Sequence, residues 1–132
     1  MAPRYLPDTN MCIYIRRRRP PEIHARFLRL RTDEAAISLI SYGELMCGAA
    51  KLRPAPPRAA EQIQEFLDFI EVLPLPIEAG RKYGEIRALL GAKGQVIRNS
   101  DLWIAAHGIC ADLIVVTNFP ILKSRIGPDR GA

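Results

Sequence analysis

Two kinds of hydrophobic pattern alternate along this chain. Short apolar stretches bounded by polar residues, at residues 5–6, 34–40 (EAAISLI) and 112–117 (DLIVVT), predict strands because they are rich in β-branched residues and too short for helices. The first is weakened by Pro7, which cannot donate a ladder hydrogen bond. The last is almost continuously apolar, which is typical of a strand in a parallel sheet that is covered on both faces.

Longer amphipathic segments between these stretches predict helices. The clearest follows a proline-rich breaker at residues 53–60 and places four apolar residues at the i, i+3, i+4, i+7 spacing of one helix face: Ile63, Phe66, Leu67 and Ile70. A second runs from about Ile77 to Leu90, and the short extended piece or turn between the two favours a pair of antiparallel helices. Further helices are predicted at residues 10–17, 20–30, 41–52 and 99–110.

This alternation predicts an α/β fold, a small three-layer α/β/α sandwich with a mostly parallel central sheet. The length of 132 residues and the hydrophobic content of 48% suit one compact domain over residues 1–132. No apolar run approaches the roughly 18 residues that span a bilayer, and the N-terminus does not resemble a signal peptide, so a soluble cytoplasmic protein is expected. Three widely spaced cysteines predict buried thiols rather than disulfides or a zinc cluster.

Carboxylates recur at the points where predicted strands give way to helices. Asp8 ends the first strand, Glu44 lies in the first turn after the second strand, and Asp101 opens the most apolar helix. Because strand ends and the following helix starts share one edge of a parallel sheet, these side chains are expected to converge. Converging carboxylates repel one another unless a cation neutralises them, and Mg²⁺ or Mn²⁺ is the natural counter-ion for such oxygen ligands.

Each carboxylate also has a purely structural explanation. Asp8 or Asn10 can cap a helix, Glu44 can complete a capping box with Ser41, and Asp101 can interact favourably with a helix dipole. The two histidines, His24 and His107, are assigned packing or surface roles, because His24 lies beside the arginine-rich segment and His107 lies in a helix predicted to be buried. A Cys–His or Ser–His nucleophile arrangement therefore lacks support.

Four segments, in order along almost the whole chain, resemble the motifs of PIN-domain ribonucleases, especially toxins of the VapC type. They are LPDTNMCIYI, ISLISYGELMCGA, SDLWIAAHGI and LIVVTN. The resemblance implies a PIN-like fold and a metal-dependent endoribonuclease that is the toxin of a toxin–antitoxin pair. It also implies Mg²⁺ (or Mn²⁺) as cofactor, a cognate VapB-type antitoxin, RNA and especially tRNA as substrate, and a homodimer.

The resemblance places Asp8, Glu44 and Asp101 at the acidic catalytic and metal-binding positions. The polar residues expected to support them are Thr9, Asn10, Ser41, Asn99, Thr117 and Asn118. The chain departs from the usual motifs at Pro7, at Arg98 and after Asn118, where Phe119 and Pro120 stand in place of a further polar residue. The alternative is therefore a catalytically degenerate module that binds RNA or antitoxin without cutting. A nuclease acting on DNA or on nucleic acid in general is a third possibility.

Positive charge is concentrated just after the first predicted helix. Nineteen Lys and Arg against fourteen Asp and Glu give a formal charge of +5, and four of the arginines are consecutive: Arg16, Arg17, Arg18 and Arg19. Such residues can contact RNA phosphates, which brings affinity and salt dependence rather than sequence selection. The alternative for the same residues is a solvated helix end, where cations also favour the helix dipole.

Overall fold

The computed structural model describes residues 3–31, 33–51 and 57–117, and of residues 57–60 the backbone alone. Two helices lie between each strand and the next in these ranges. The strands are β1 (Tyr5–Pro7), β2 (Ala36–Ser38), β3 (Glu71–Leu73) and β4 (Ile114–Val116). The helices are α1 (Thr9–Arg17), α2 (Pro21–Leu28), α3 (Leu39–Lys51), α4 (Pro57–Asp68), α5 (Glu78–Ala92) and α6 (Asn99–Ala111).

All strand pairs are parallel. β1 pairs with β4, placing Leu6 opposite Val115, and β2 pairs with β3, placing Ile37 opposite Val72. A single parallel bridge from Tyr5 to Ala35 joins the two pairs, so the spatial order is β3, β2, β1, β4. The chain moves outward from β1 to β3 and then returns to the other side of β1. The crevice between the carboxyl ends of β1 and β4 is therefore a topological switch point, where ligands usually bind in such sheets.

Apolar side chains bury both faces of this small sheet. Ile37 on β2 belongs to a cluster with buried residues of α1, α3 and α4, whereas Leu6 on β1 packs with Ile104 of α6. A third cluster joins α5 to α6. Successive strand residues point to opposite faces, so these clusters place helices on both sides of the sheet. The prediction of a three-layer α/β fold with a parallel sheet is confirmed.

The residues at its two ends determine where helix α1 begins and ends. Asp8 precedes the helix with extended backbone, and its carboxylate accepts a 2.8 Å hydrogen bond from the backbone N–H of Met11. The helix ends at Arg18, whose φ of 59° is left-handed and whose N–H returns to the last turn. Arg16 and Arg17 lie in that last turn, where positive charge is favourable. The predicted capping role of Asp8 is confirmed.

The two helices expected around residues 63–90 are confirmed as α4 and α5, and so is a short extended piece between them, but the prediction that a turn joins them as an antiparallel pair is wrong. Strand β3 lies between α4 and α5 and pairs in parallel with β2. Three residues are too few for a two-fold hydrophobic period to show, and only the neighbouring strand β2 turns this extended piece into part of a sheet. The proline-rich breaker falls partly outside the described residues, with α4 beginning at Pro57.

The capping box expected for Ser41 and Glu44 is also wrong. Helix α3 begins at Leu39, and Ser38 accepts a 3.1 Å hydrogen bond from the N–H of Ile40. Ser41 therefore lies inside the helix, and its side chain is directed to α1. Sequence spacing alone cannot tell a capping box from two side chains on the same face of the first turns.

The exposure of the cysteines and of strand β4 depends on where each lies in the folded protein. The cysteines are all free, but Cys12 is buried while Cys47 is exposed, so the expectation of three buried thiols holds only in part. Strand β4 is half-buried, because within the described ranges it pairs on one side alone. None of the helices in those ranges is long and apolar enough to cross a membrane.

His107 confirms its predicted packing role. It is 1% exposed in α6, and its Nδ1 lies 2.8 Å from the hydroxyl oxygen of Ser38 at the end of β2. Burial lowers the pKa of the imidazole, so the neutral ring is favoured. The hydrogen bond therefore ties the sheet to α6 without burying a charge.

Gly108 is required by the close approach of α6 to the sheet. A Cβ atom added there would lie 2.3 Å from a side-chain methyl of Val115. We expect Gly108→Ala to lower the free energy of unfolding by about 1–3 kcal/mol, as overpacked core substitutions do, measured by urea denaturation.

Gly84→Ala in α5 is the matched control, because a Cβ atom there meets nothing within 4 Å. This substitution should instead stabilise the helix by about 0.5–1 kcal/mol, the usual difference between glycine and alanine. Equal effects at the two positions would contradict the steric explanation for Gly108.

Candidate active site

Asp8 lies where β1 ends and α1 begins, and its side chain is 3% exposed. Besides the Met11 N–H, its carboxylate accepts hydrogen bonds from the backbone N–H of Asn10 and from the hydroxyl of Thr117, which follows β4. These donors come from both sides of the switch point. The carboxylate is therefore held rigidly, in the crevice between β1 and β4.

Glu44 reaches the same region from α3. The hydroxyl of Thr9 lies 2.5 Å from Oε1 of Glu44 and 3.1 Å from Oγ of the buried Ser41. Because an ionised carboxylate can only accept, Thr9 donates its proton to Glu44. The residue after Asp8 thus orients the second carboxylate, and the predicted supporting roles of Thr9 and Ser41 have a geometric basis.

Arg98 is the cation that the structure brings to these acids. Its Nη2 lies 3.2 Å from Oε2 of Glu44 and 3.4 Å from the hydroxyl of Ser100. The sequence marked Arg98 only as a departure from the expected motif. It lies 54 positions from Glu44 along the chain, so the contact depends on the tertiary fold alone.

The charges of nearby acidic side chains contribute to the raised pKa values of both Asp8 and Asp101. Burial raises the pKa of Asp8, and the charge of Glu44 raises it further, against the hydrogen bonds that lower it. Burial also raises the pKa of Asp101, the charge of Arg98 lowers it, and the charges of Asp8 and Glu44 raise it. Asp101, in the first turn of α6, therefore lies within electrostatic range of the other two acids.

The donor set consists of carboxylate oxygens, which suit a hard divalent cation such as Mg²⁺. Over residues 3–31, 33–51 and 57–117, however, no group of three or more His, Cys, Asp or Glu side chains is arranged to hold a metal ion. The hydrogen bond from Thr9 and the ion pair with Arg98 engage both oxygens of Glu44. The chemistry of the acids fits a cation, while Glu44 is bound to protein groups.

The remaining polar residues divide between the acids and α5. Thr117 contacts Asp8 directly, whereas Asn10 reaches it through its backbone N–H. The Oδ1 atom of Asn99 accepts hydrogen bonds of 2.9 Å from Tyr83 and 2.7 Å from Arg87, both in α5. Asn99 therefore links α5 to the start of α6. Asn118 lies outside the described residues.

The four consecutive arginines lie at the far end of α1 from Asp8. Nine helical residues separate the two ends by roughly 13 Å. There the arginines line a groove of about 930 Å³ whose other walls include Phe27, Phe66 and Phe69 and the acidic residues Glu61 and Glu65. The arginine run is therefore not the local partner of the three carboxylates, a role that Arg98 has instead.

Comparison with known proteins identifies the family to which this arrangement belongs. The family model described as PIN domain matches residues 5–118, from β1 through the end of β4. This chain belongs to the PIN-domain family. The resemblance seen in the four sequence motifs, and the PIN-like fold expected from it, are confirmed.

Relatives of this PIN domain are named ribonucleases. The chain is 36% identical to Ribonuclease VapC2 of Haemophilus influenzae over 115 residues, which cover 87% of this chain and 86% of that protein. It is 37% identical, with the same coverage, to the tRNA(fMet)-specific endonuclease VapC of Salmonella typhimurium. The predicted nuclease class is confirmed, and the PIN domain falls within the VapC group.

Solved structures agree with this placement. The structure of DNA-bound VapBC from Salmonella typhimurium superposes with a TM-score of 0.84 at 36% identity, covering 96% of this chain and 94% of that one. VapBC2 from Rickettsia felis, bound to a promoter DNA fragment, gives a TM-score of 0.80 at 30% identity, with 92% of each chain covered. The PIN domain therefore shares its fold with the matching chains of these VapBC structures.

The raised pKa of Asp101 predicts that its charge destabilises the metal-free protein. A carboxyl group with a raised folded-state pKa contributes stability below its unfolded pKa and loses it as pH rises through the folded pKa. We therefore expect Asp101→Asn to raise the free energy of unfolding at pH 7 in chelator, by about 1 kcal/mol or less, measured by thermal denaturation.

The gain should disappear near pH 3, where the wild-type carboxyl group is protonated in both states. Glu78→Gln, which removes an exposed charge in the first turn of α5, is the control and should not stabilise the protein. A loss of stability in Asp101→Asn at pH 7 would contradict the electrostatic interpretation.

Proposed function

We propose that this PIN domain is a metal-dependent endoribonuclease, the toxin of a toxin–antitoxin pair, which hydrolyses RNA phosphodiesters and has tRNA as its substrate. The observation that carries the proposal is the electrostatic link between three acids near the switch point of the sheet: the charge of Glu44 raises the pKa of Asp8, and the charges of Asp8 and Glu44 both raise the pKa of Asp101. A relative with 37% identity is named a tRNA(fMet)-specific endonuclease, which supports the choice of RNA.

The three carboxylates are the proposed catalytic and metal-binding residues. When bound, Mg²⁺ or Mn²⁺ supplies Lewis acidity, which activates water and stabilises the negative charge of the reacting phosphoryl group. Asp8 provides a fixed oxygen ligand, since backbone N–H groups and Thr117 already set its position. Thr9 orients Glu44 through its hydroxyl group. The proposed reaction needs no covalent intermediate between the protein and RNA.

The arginine run is proposed to contact RNA phosphates outside the acidic site. A uniformly negative site would repel the substrate, and the exposed residues of the run, Arg17, Arg18 and Arg19, offset that repulsion. They lie at the end of α1, roughly 13 Å from Asp8 by the rise of the helix. They would therefore hold RNA beside the scissile bond rather than at it.

A VapB-type antitoxin and a second copy of the chain are the proposed protein partners. The similar solved structures from Salmonella typhimurium and Rickettsia felis are VapBC complexes, which supports an antitoxin partner for this chain. The homodimer is proposed from the sequence resemblance alone. Binding of an antitoxin over the acidic site would keep the ribonuclease inactive.

One observation favours a second candidate, a PIN-like module that binds RNA or antitoxin without cutting. Both oxygens of Glu44 are engaged by Thr9 and Arg98, and the described residues contain no ready three-ligand metal site. Such a module would retain RNA affinity but show no turnover with Mg²⁺ or Mn²⁺. The following experiment distinguishes the two candidates.

We expect Asp8→Asn, Glu44→Gln and Asp101→Asn each to reduce RNA cleavage by at least about 100-fold, because each removes a negative oxygen ligand from the proposed cation site. The measurement is cleavage of purified tRNA, single-stranded RNA and DNA by the antitoxin-free protein, with Mg²⁺, with Mn²⁺ and with chelator. Circular dichroism should show that each variant is folded.

Glu85→Gln is the matched control, since this exposed acid in α5 forms an ion pair with Lys82 and touches none of the three acids. It should cleave like the wild type. Full cleavage by folded Asp101→Asn with Mg²⁺ would refute the assignment. RNA binding without turnover in the wild type would instead favour the non-catalytic module.

The phosphate-contact role of the arginine run is tested separately. Replacing Arg17 and Arg19 together by Gln should weaken binding of all RNA sequences alike and reduce the salt slope of log K by about 1.4, near 0.7 per lost contact on single strands. The measurement is RNA affinity between low and physiological salt in the absence of cleavage. Both residues are exposed, so the fold should be unaffected.

Replacing Arg81 and Lys93 by Gln removes the same charge from exposed positions in and after α5 and serves as the control. If this control lowers the salt slope equally, net charge rather than phosphate contact explains the effect.

A further inference from the structure

Arg98 occupies an unusual position for a structural residue. It precedes α6 as the N-cap residue, and its side chain forms no capping hydrogen bond with the first turn of the helix; its contact within α6 is with the hydroxyl of Ser100. Ser, Thr, Asp and Asn are preferred at this position, and a positive charge beside a helix N-terminus interacts unfavourably with the helix dipole. Stabilisation of α6 therefore does not explain an arginine here.

The guanidinium is directed instead at the acidic site. It lies 3.2 Å from Oε2 of Glu44, whose other oxygen accepts the hydrogen bond from Thr9. It also acts electrostatically on Asp101, three residues further along. Arg98 is thus a positive charge that partly neutralises two acids which otherwise repel each other.

The two partners of this ion pair differ in exposure. The side chain of Arg98 is 67% exposed, whereas that of Glu44 is 28% exposed and held by Thr9. An ion pair with one such exposed partner is weak, because water solvates the guanidinium almost as well in the ion pair as it does after the pair has separated. Glu44 can stay in place while the long arginine side chain moves away.

We propose that Arg98 is an exchangeable counter-ion of the acidic site, which holds Glu44 in the metal-free protein and must release Oε2 before Glu44 binds a divalent cation. This inference rests on the proposed metal-dependent function. Arg98 is a positioning residue, because it acts through Glu44. Its exposed ion pair delays or weakens metal binding without blocking it.

The test is direct measurement of Mn²⁺ binding to the full-length, antitoxin-free protein by isothermal titration calorimetry. Arg98→Gln should tighten Mn²⁺ binding by about three- to tenfold, because it removes both a competing ion pair and a nearby positive charge. The difference should shrink as ionic strength rises. Arg98→Lys keeps the charge and should bind Mn²⁺ much like the wild type.

Two controls separate this role from a general charge effect. Arg29→Gln removes an exposed arginine just after α2 and should leave Mn²⁺ affinity unchanged. In a Glu44→Gln background, Arg98→Gln should tighten binding less than it does in the wild type, since the counter-ion acts largely through Glu44. Such a double-mutant cycle isolates the interaction between the two residues.

Tighter binding in Arg98→Gln alone, lost in the Glu44→Gln background, would support the inference. Unchanged or weaker binding in Arg98→Gln, or equal tightening in Arg29→Gln, would overturn it while leaving the proposed metal site standing. If Mn²⁺ binds to Arg98→Gln but not to the wild type, the inference is supported, and Arg98 competes with the metal more strongly than expected. Absence of Mn²⁺ binding in every variant would refute the metal site and this inference with it.

Discussion

The hydrogen-bonded burial of Asp8 connects the fold of this PIN domain to its candidate chemistry. A carboxylate that is 3% exposed is costly unless donors surround it, and here they come from the start of α1 and from Thr117 at the end of β4. The same contacts cap the helix and join the two strands of the switch point. The group that organises this part of the fold is therefore also one that we propose as a cation ligand.

The negative charge at this edge of the sheet requires hydrogen-bond donors and positive charge nearby. Asp8, Glu44 and Asp101 lie near enough to influence one another, so the protein must supply compensating donors or cations. Thr9 and Thr117 supply hydrogen bonds, and Arg98 supplies charge. Structural and functional explanations of these acids do not exclude each other, because a capping carboxylate keeps lone pairs that can face a ligand.

Sequence patterns predicted the layers of the fold but not every connection between them. Long periodic segments such as α4 and α5 carry a clear signal, since many residues repeat one spacing. The three residues of β3 carry almost none, and pairing with β2 decides their structure. Likewise, Ser41 and Glu44 have the spacing of a capping box, yet the contact with Thr9 across 32 and 35 positions determines what they do.

By itself, the sequence determined the family and singled out the acids that we propose as catalytic: four ordered motifs and three acids at strand ends already indicated a PIN-type ribonuclease. The sequence contains this information because the hydrophobic pattern that marks a strand, and the polar residues that mark its end, are local properties of the chain. Only the tertiary structure decided the charge balance of the site. It separated the arginine run from the acids by the length of α1 and brought Arg98 to Glu44 from 54 positions away. Electrostatic partners depend on distances through space, which sequence separation does not encode.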